Sequence, residues 1–337
     1  MWELSEFEKL KNEPELQAAL KREDRRIYLE QFQITSIGER SDRADFINFL
    51  NKQVTGYELP WKTLRNDFLV AKHELTLISG YTGEGKTDFV NQILLNCVAN
   101  GAKGFIASLE LMPHELRKRI LRQATGIINP TDDYMNSFFD NYEDTLFFKD
   151  TRGVGSIDKI LEGCECLHKY FGVDVFVFDN LMMLDSATDN YNKQFENAQK
   201  ISAFCKTYPV SAFLVAHSRK PPATYRKPEE LTHIEPPSIY DVHGASSVAN
   251  LVDNLISVAI NTLKQAALRK QAANCVLNDI ESKFVLQGDT IIKRDKKREQ
   301  GNRFKAHLYF NQKFCRFTDF ENEPCQPFVN WSKQNAK

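Results

Sequence analysis

A glycine-rich loop between two regular segments constrains this chain more than any other feature. Residues 80–87 read Gly-Tyr-Thr-Gly-Glu-Gly-Lys-Thr, which fits the pattern G-x-x-x-x-G-K-[ST]. The apolar run Leu75–Ser79 predicts a strand before the loop, and Lys86–Ala99 predicts a helix after it. Glycines let backbone N–H groups turn toward phosphate oxygens, and the first turn of the helix adds the positive end of its dipole. The loop therefore predicts a binding site for a nucleoside triphosphate.

Two side chains of the loop have specific tasks in such a site. We expect Lys86 to reach the β- and γ-phosphates and the Thr87 hydroxyl to bind Mg²⁺. The predicted cofactors are ATP, or another nucleoside triphosphate, and Mg²⁺. The alternative is a chance match in a glycine turn, which the flanking strand and helix argue against. The residues expected to contact the nucleotide are Gly80, Thr82, Gly83, Glu84, Gly85, Lys86, Thr87 and Asp88.

Apolar runs alternate with helical segments along most of the chain. Val173–Phe178 and Val210–Ala216 are strands of this kind. The alternation predicts an α/β fold with a mostly parallel central sheet covered by helices on both faces. Short apolar runs between Thr290 and Phe317 predict antiparallel strands at the edge of that sheet, and residues 262–285 are expected to form an inserted helix.

The remaining segments and the composition set the domain plan. Residues 1–57 are expected to form a charged helical arm for oligomerisation, residues 58–320 the ATPase domain, and residues 321–337 a loose tail. The formal net charge is −1, so binding to a polyanion would depend on local basic clusters. Since the sequence has neither an apolar signal region nor a run of about 18 apolar residues, we expect a cytoplasmic protein without a membrane segment.

Polar side chains end three of the predicted strands, where parallel sheets place their ligands. Asp179 ends one strand and is expected to hold Mg²⁺ with Thr87; its alternative is a turn-capping aspartate. Glu110 ends another and is a candidate base for the attacking water, but it could equally favour the dipole of the next helix. His217 ends a third, either as a contact to the γ-phosphate or as an ordinary hydrogen-bonded histidine.

Two basic clusters follow these strands. Arg219 and Lys220 begin a proline-rich loop that could touch a polyanion, although a solvated pair is the plainer interpretation. Residues 293–298 read Lys-Arg-Asp-Lys-Lys-Arg. They could bind nucleic acid, supply an arginine finger to a neighbouring subunit, or form a solvated hairpin.

Taken together, these motifs resemble the hexameric RecA-like replicative helicases. The family is that of DnaB, and the similarity is greatest to the helicase half of phage primase–helicases and to Twinkle. The resemblance covers roughly residues 55–318. The matching segments, in order, are Glu74-Leu75-Thr76 before the loop, Ser108-Leu109-Glu110-Leu111-Met112, Phe178-Asp179-Asn180-Leu181, Val215-Ala216-His217-Ser218-Arg219-Lys220, residues 244–253, and Lys296-Lys297-Arg298.

This resemblance implies roles for residues that the motifs alone leave open. It makes Glu110 the catalytic base, His217 the γ-phosphate sensor, and Lys296 with Arg298 the pair that reaches a neighbour's ATP. Because Arg294 lies in the same basic run, it is the alternative finger. The residues that the resemblance places against DNA are Arg219, Lys220, His243, Gly244 and Asn250, with Asn250 and His243 standing where the family often has Gln and Arg.

The resemblance also implies partners and an activity. It implies a homo-oligomer, most often a hexameric ring, that moves 5′→3′ on single-stranded DNA and works with a primase or polymerase. Two other functions fit a RecA-like ATPase. One is a recombination or regulatory ATPase that binds strands without unwinding them, and the other is a scaffold such as a helicase loader.

Overall fold

The fold is built around one mixed sheet that carries the glycine-rich loop at its centre. A computed structural model of the chain describes residues 56–149, 155–185, 190–218, 234–238, 241, 246–297 and 303–328. The predicted N-terminal arm therefore lies almost wholly outside the described residues. The strands are β1 Gly56–Glu58, β2 Leu69–Ala71, β3 Leu75–Gly80, β4 Gly104–Ser108, β5 Leu146–Phe148, β6 Val175–Asp179, β7 Ser211–His217, β8 Asn254–Ile260, β9 Thr290–Lys297, β10 Phe304–Asn311 and β11 Arg316–Thr318.

The helices connect these strands and cover both faces of the sheet. The α-helices are α1 Lys86–Ala99, α2 Pro113–Thr125, α3 Asp132–Tyr142, α4 Ile157–Cys166, α5 Tyr191–Thr207, α6 Ser246–Leu251, α7 Thr262–Ala272 and α8 Asp279–Val285. A π-helical turn, Leu167–Phe171, continues α4, and a 3₁₀ turn, Leu181–Met183, follows β6.

The nine-stranded sheet has the order β11-β10-β9-β8-β3-β7-β6-β4-β5. The strands from β8 to β5 run parallel, whereas β9, β10 and β11 add an antiparallel edge. The predicted α/β class and the antiparallel C-terminal edge are thus confirmed. A separate antiparallel hairpin, β1–β2, was not predicted.

Side chains of the parallel strands alternate between two buried layers, which explains why these strands read as continuous apolar runs. In β6, Val175 and Val177 point into the layer beneath α1 and α2, while Phe176 and Phe178 point into the layer beneath α4 and α5. Both faces are consequently sealed, and polar groups with a role in chemistry are left to the strand ends.

Helix α1 is tied to the last strand of the chain. The Gln92 amide donates from Nε2 to the Phe317 carbonyl and accepts from the Phe317 N–H, both at 2.8 Å. Trp61 donates from Nε1 to the same carbonyl at 2.9 Å and stacks on Phe89 with ring centroids 4.7 Å apart. These contacts fix the helix that begins at the glycine-rich loop against the antiparallel edge of the domain.

Several predicted boundaries need correction. Residues 262–285 form two helices, α7 and α8, because the chain turns at Asn274, whose φ is 55°, and the side chain of Asn278 then caps the start of α8. The tail that was expected to be loose from residue 321 begins packed on the domain. The Phe328 N–H donates to the Ala124 carbonyl, and its ring lies against the buried core.

No helix among the described residues is both long enough and apolar enough to cross a bilayer.

Candidate nucleotide-binding and catalytic site

The glycine-rich loop has the backbone that its sequence predicts. Gly83 and Gly85 have φ values of 84° and 82°, in the left-handed region that glycine adopts without steric cost. Gly85 directly precedes the first turn of α1. The loop therefore brings backbone N–H groups and the positive end of a helix to one place, which is the arrangement that binds phosphate.

Glu84 braces this loop from within. One carboxylate oxygen accepts a hydrogen bond from the Tyr81 N–H at 2.8 Å, and the other accepts from the Ile260 N–H at 3.4 Å. The side chain is buried. Glu84 was predicted as a nucleotide contact, but its carboxylate is engaged in joining the loop to the end of β8.

Lys86 is buried at the start of α1 and lines the cleft beside the loop. Its Nζ donates to the Tyr81 carbonyl at 2.7 Å. Burial lowers the pKa of Lys86, while the nearby carboxylates of Glu84, Asp179 and Glu110 oppose this and favour the charged ammonium. Lys86 is thus a cation surrounded by carboxylates in a space that can receive phosphate.

Thr87 and Asp179 meet as predicted. The Thr87 hydroxyl donates to Asp179 Oδ2 at 2.9 Å. Asp179 is buried, and burial raises its pKa to about 6 against a hydrogen bond from Thr87 that lowers it. Its other oxygen, Oδ1, is buried and has no hydrogen-bond partner among the described residues. A hydroxyl beside an unsatisfied buried carboxylate oxygen fits the oxygen ligands that Mg²⁺ prefers.

A cluster of three or more His, Cys, Asp or Glu side chains suited to a metal ion is not found among the described residues. This agrees with an ion that takes few ligands from the protein and the rest from phosphate and water, as Mg²⁺ does in nucleotide sites.

Glu110, Asn180 and His217 come together at the ends of β4, β6 and β7. His217 Nε2 lies 3.0 Å from Glu110 Oε1 and 3.0 Å from Asn180 Nδ2, and Asn180 Nδ2 also donates to Glu110 Oε1. The hydrogen bond with His217 is the main cause that lowers the pKa of Glu110. The predicted base and the predicted sensor are therefore in direct contact, beside an asparagine for which the sequence predicted no role.

Asp88 was predicted to contact the nucleotide, yet its side chain faces α2. Both carboxylate oxygens lie 3.2 Å from Arg119 Nη1, and the Asp88 carbonyl accepts from Gln123 Nε2 at 2.8 Å. Burial raises the pKa of Asp88, and Arg119 counteracts this. Arg119 itself lines the cleft and is a cation that sequence patterns did not single out.

These residues surround one cleft of about 630 Å³, a volume in the range of small-molecule sites. The loop, Glu110, Asp179 and His217 form one part of its wall. The far part is formed by α7 and the antiparallel edge strands. There Lys264 Nζ lies 2.9 Å from Asp289 Oδ1, and Leu268 and Phe310 contribute apolar surface. The inserted segment, whose role the sequence left open, thus helps to enclose the cleft.

Comparisons with known proteins agree with this geometry. A sequence family described as an AAA domain matches residues 59–223. A solved ATPase domain of a helicase superposes with a TM-score of 0.63 and 15% identity, covering 85% of this chain and all (100%) of that one. A DnaB-like replicative helicase, solved to describe its interactions with primase, gives a TM-score of 0.64 and 15% identity over 94% of this chain and 73% of that one. The chain carries a RecA-like ATPase domain.

The chain is also similar to the Twinkle homolog protein, chloroplastic/mitochondrial, of Arabidopsis thaliana. The two are 24% identical over 226 residues, which amount to 61% of this chain and 30% of that protein. The chain therefore spans less than a third of the length of this curated relative. With the two solved structures, the match confirms the predicted resemblance to the DnaB-type helicases.

Most of the predicted DNA contacts lie outside the described residues, namely Arg219, Lys220, His243 and Gly244. Asn250 is exposed on α6. The start of the loop after β7 is tied to the glycine-rich loop of the RecA-like domain, because the Ser218 N–H donates to the Gly80 carbonyl at 3.0 Å. The hydroxyls of Ser79 and Ser218 also lie 2.8 Å apart.

The basic run on β9 separates into residues with different surroundings. Lys296 Nζ donates to the Ala249 and Asn250 carbonyls at 2.8 Å, at the end of α6. Arg298 lies outside the described residues. Arg294 is only 1% exposed, donates to the Asp67 carbonyl at 2.5 Å and has its guanidinium 5.0 Å from the Phe304 ring centroid. The alternative in which Arg294 is the arginine finger is therefore wrong, since its side chain is fixed in the interior.

Proposed function

We propose that the chain is the ATPase motor of a DnaB-type replicative DNA helicase, which hydrolyses ATP with Mg²⁺ and moves on single-stranded DNA. The observation that carries the proposal is the Thr87–Asp179 contact at 2.9 Å in the same cleft as the Glu110–His217 contact at 3.0 Å. One pair can hold a metal ion and the other can handle a proton, and the phosphate-binding loop lies beside both.

Each side chain has a task in hydrolysis. Lys86 and the N–H groups at the start of α1 bind the phosphates, and Thr87 and Asp179 would hold Mg²⁺. When bound, Mg²⁺ neutralises the charge on the phosphate oxygens. Because the pKa of Glu110 is lowered, chiefly by the hydrogen bond with His217, its carboxylate is ionised at neutral pH and can accept a proton from water.

His217 would sense the terminal phosphate. Its Nε2 reaches the cleft, and the next residue, Ser218, is bonded to the Gly80 carbonyl. A change in the partner of Nε2 would therefore be passed to the loop that begins at residue 219, where Arg219 and Lys220 are proposed to contact DNA. Hydrolysis and DNA contact are linked by this short path.

The active unit is proposed to be a hexameric ring with ATP at its subunit interfaces. Lys296 and Arg298 would complete a neighbour's site, and His243, Gly244 and Asn250 would line the channel. Support comes from the bond between Lys296 and the carbonyl of Asn250, which joins the two functions on one subunit. Travel in the 5′→3′ direction and a primase or polymerase partner belong to the same proposal, in keeping with the described interactions of a DnaB-like structure with primase.

ATP hydrolysis tests the motor itself. We expect Lys86→Ala to abolish phosphate release in the presence of Mg²⁺ and single-stranded DNA, while circular dichroism stays unchanged. Lys169→Ala is the matched control, since that lysine is an exposed helical residue paired with Glu165. Equal turnover by Lys86→Ala and the wild type would refute an ATPase at this loop.

Assembly is tested by electron microscopy with a non-hydrolysable ATP analogue and single-stranded DNA. A closed six-membered ring around DNA supports the helicase, and a helical filament supports the recombination-type ATPase. In mixed oligomers, Arg298→Ala should regain activity beside Lys86→Ala, because each subunit supplies what the other lacks. Mixed oligomers without any gain would remove Arg298 from the neighbour's site.

A further inference from the structure

The side chain of Asn180 is fixed in one orientation by the turn that follows β6. Its Oδ1 accepts a hydrogen bond from the Met183 N–H at 3.2 Å, and the residue is 1% exposed. Because the carbonyl side of the amide is committed to this turn, the NH₂ side must face Glu110 and His217. Asn180 is therefore a donor toward both of them, whatever the protonation of the histidine.

His217 Nε2 lies between an acceptor and a donor at equal distance. It is 3.0 Å from the Glu110 carboxylate and 3.0 Å from the Asn180 amide nitrogen. A ring nitrogen either carries a proton and donates or lacks one and accepts. It donates to Glu110 in the first case, and it accepts from Asn180 in the second. Glu110 keeps the hydrogen bond from Asn180 in both cases, so His217 is its conditional partner and Asn180 its constant one.

The backbone near Glu110 is held separately from its side chain. The Leu109 N–H donates to the Asp179 carbonyl at 2.6 Å, and the Leu111 N–H reaches Ser108 Oγ at 3.4 Å. The Glu110 side chain remains 38% exposed. A half-exposed glutamate has several rotatable bonds, and only fixed hydrogen bonds keep its carboxylate at one point.

We propose that Asn180 is a positioning residue, which holds the Glu110 carboxylate in place for the attacking water when His217 directs Nε2 to the terminal phosphate. The inference rests on the proposed ATP hydrolysis. It explains why a buried amide, rather than an apolar side chain, follows the metal-binding aspartate. It also lets the sensor leave the base without releasing it.

The charged groups around Glu110 set what a loss of this hydrogen bond should do. His217 lowers the pKa of Glu110 most, and Lys86 and Asn180 lower it further. Asp179 is a further charged neighbour. Removing the Asn180 donor should therefore move the acid limb of the pH–rate profile to higher pH, in the direction that a purely structural defect has no reason to follow.

The test uses the full chain with single-stranded DNA, ATP and Mg²⁺. For Asn180→Ala we expect kcat to fall about 10- to 100-fold, as for other losses of catalytic alignment, with unchanged KM for ATP and an unchanged Mg²⁺ requirement. The acid limb should shift to higher pH. Asn190→Ala is the matched control, because Asn190 also accepts a backbone N–H through Oδ1, at the start of α5, and should keep wild-type kinetics.

Asn180→Asp keeps the test decisive if the alanine variant is unstable. Aspartate preserves the acceptor for the Met183 N–H but replaces the donor with a carboxylate. The expected acid-limb shift is larger than for Asn180→Ala, since a like charge then faces Glu110. Wild-type kcat in both variants would overturn the proposal, and so would a changed Mg²⁺ requirement with an unshifted acid limb, which would mean that Asn180 acts through Asp179.

The two levels of the argument fail differently. If Lys86→Ala hydrolyses ATP like the wild type, the proposed ATPase is wrong and the role of Asn180 falls with it. If Lys86→Ala is inactive and Asn180→Ala turns over normally, the ATPase stands and only the positioning role is refuted.

Discussion

The buried carboxylate of Asp179 should weaken the folded state in the absence of Mg²⁺, and Asp179→Asn tests this. Burial raises the pKa of Asp179 from its ordinary value of 3.8 to about 6. Between these two values the folded protein holds a proton that the unfolded chain has released. The free energy of unfolding therefore falls as pH rises through this window, because the folded state binds more protons.

The size of the effect follows from the pKa difference. One pKa unit is worth about 1.4 kcal/mol, so the ionised Asp179 costs about 3 kcal/mol near pH 8 and about half of that near pH 5. The asparagine side chain introduced by Asp179→Asn carries no charge, and its amide oxygen can still accept from Thr87. We expect the variant to gain about 1.4 kcal/mol more over the wild type near pH 8 than near pH 5.

The assay is urea unfolding at both pH values in EDTA without nucleotide, followed by ATPase measurements with Mg²⁺. Asp179→Asn should be the more stable protein near pH 8 and should be inactive in hydrolysis. Asp158→Asn is the control, because that aspartate is 64% exposed in a pair with Lys200. If the stability difference between Asp179→Asn and the wild type is the same at both pH values, the buried charge does not carry the cost assigned to it.

Three further substitutions test the frame around the site. Gly85→Ala should cost about 1–2 kcal/mol in thermal melts because of its left-handed φ and should weaken binding of a fluorescent ATP analogue, since a Cβ there would lie 3.0 Å from the Phe317 ring; Gly163→Ala, with nothing within 4 Å, should do neither. Trp61→Ala should lower the free energy of urea unfolding by about 3–5 kcal/mol, as expected for a buried aromatic. Arg294→Lys should cost about 1–3 kcal/mol by losing the hydrogen-bond fork, yet leave kcat per folded molecule unchanged.

The elements that build the phosphate site could be predicted from the sequence because their patterns are strong and local. Helix α1 has the predicted bounds Lys86–Ala99, and β3 extends the predicted strand by only one residue, to Gly80. Helix α3 was missed because it buries only Phe138 and Tyr142, so its periodicity is weak. Its start is nevertheless marked by Thr131, whose side chain caps the helix.

The relations between distant strand ends were only partly predictable. That Asp179, Glu110 and His217 share an edge follows from a parallel sheet, but their actual contacts depend on the strand order β7-β6-β4. Asn180 was quoted in a motif without a role, because its importance arises from the turn that orients its amide. Arg294 stands in a run of charges that hides which side of the strand it occupies, and only the rings of distant residues reveal that it points inward.

The pairing of Gln92 with Phe317 has a consequence for how the protein is made. A glutamine on the helix that begins at the phosphate-binding loop forms both of its hydrogen bonds with a residue 225 positions later in the chain. During translation, the loop and its helix leave the ribosome long before that partner exists. Their final support arrives with nearly the last strand, so a ribosome-bound chain that stops before β11 should capture ATP weakly, and the capacity to bind it should mature late in synthesis.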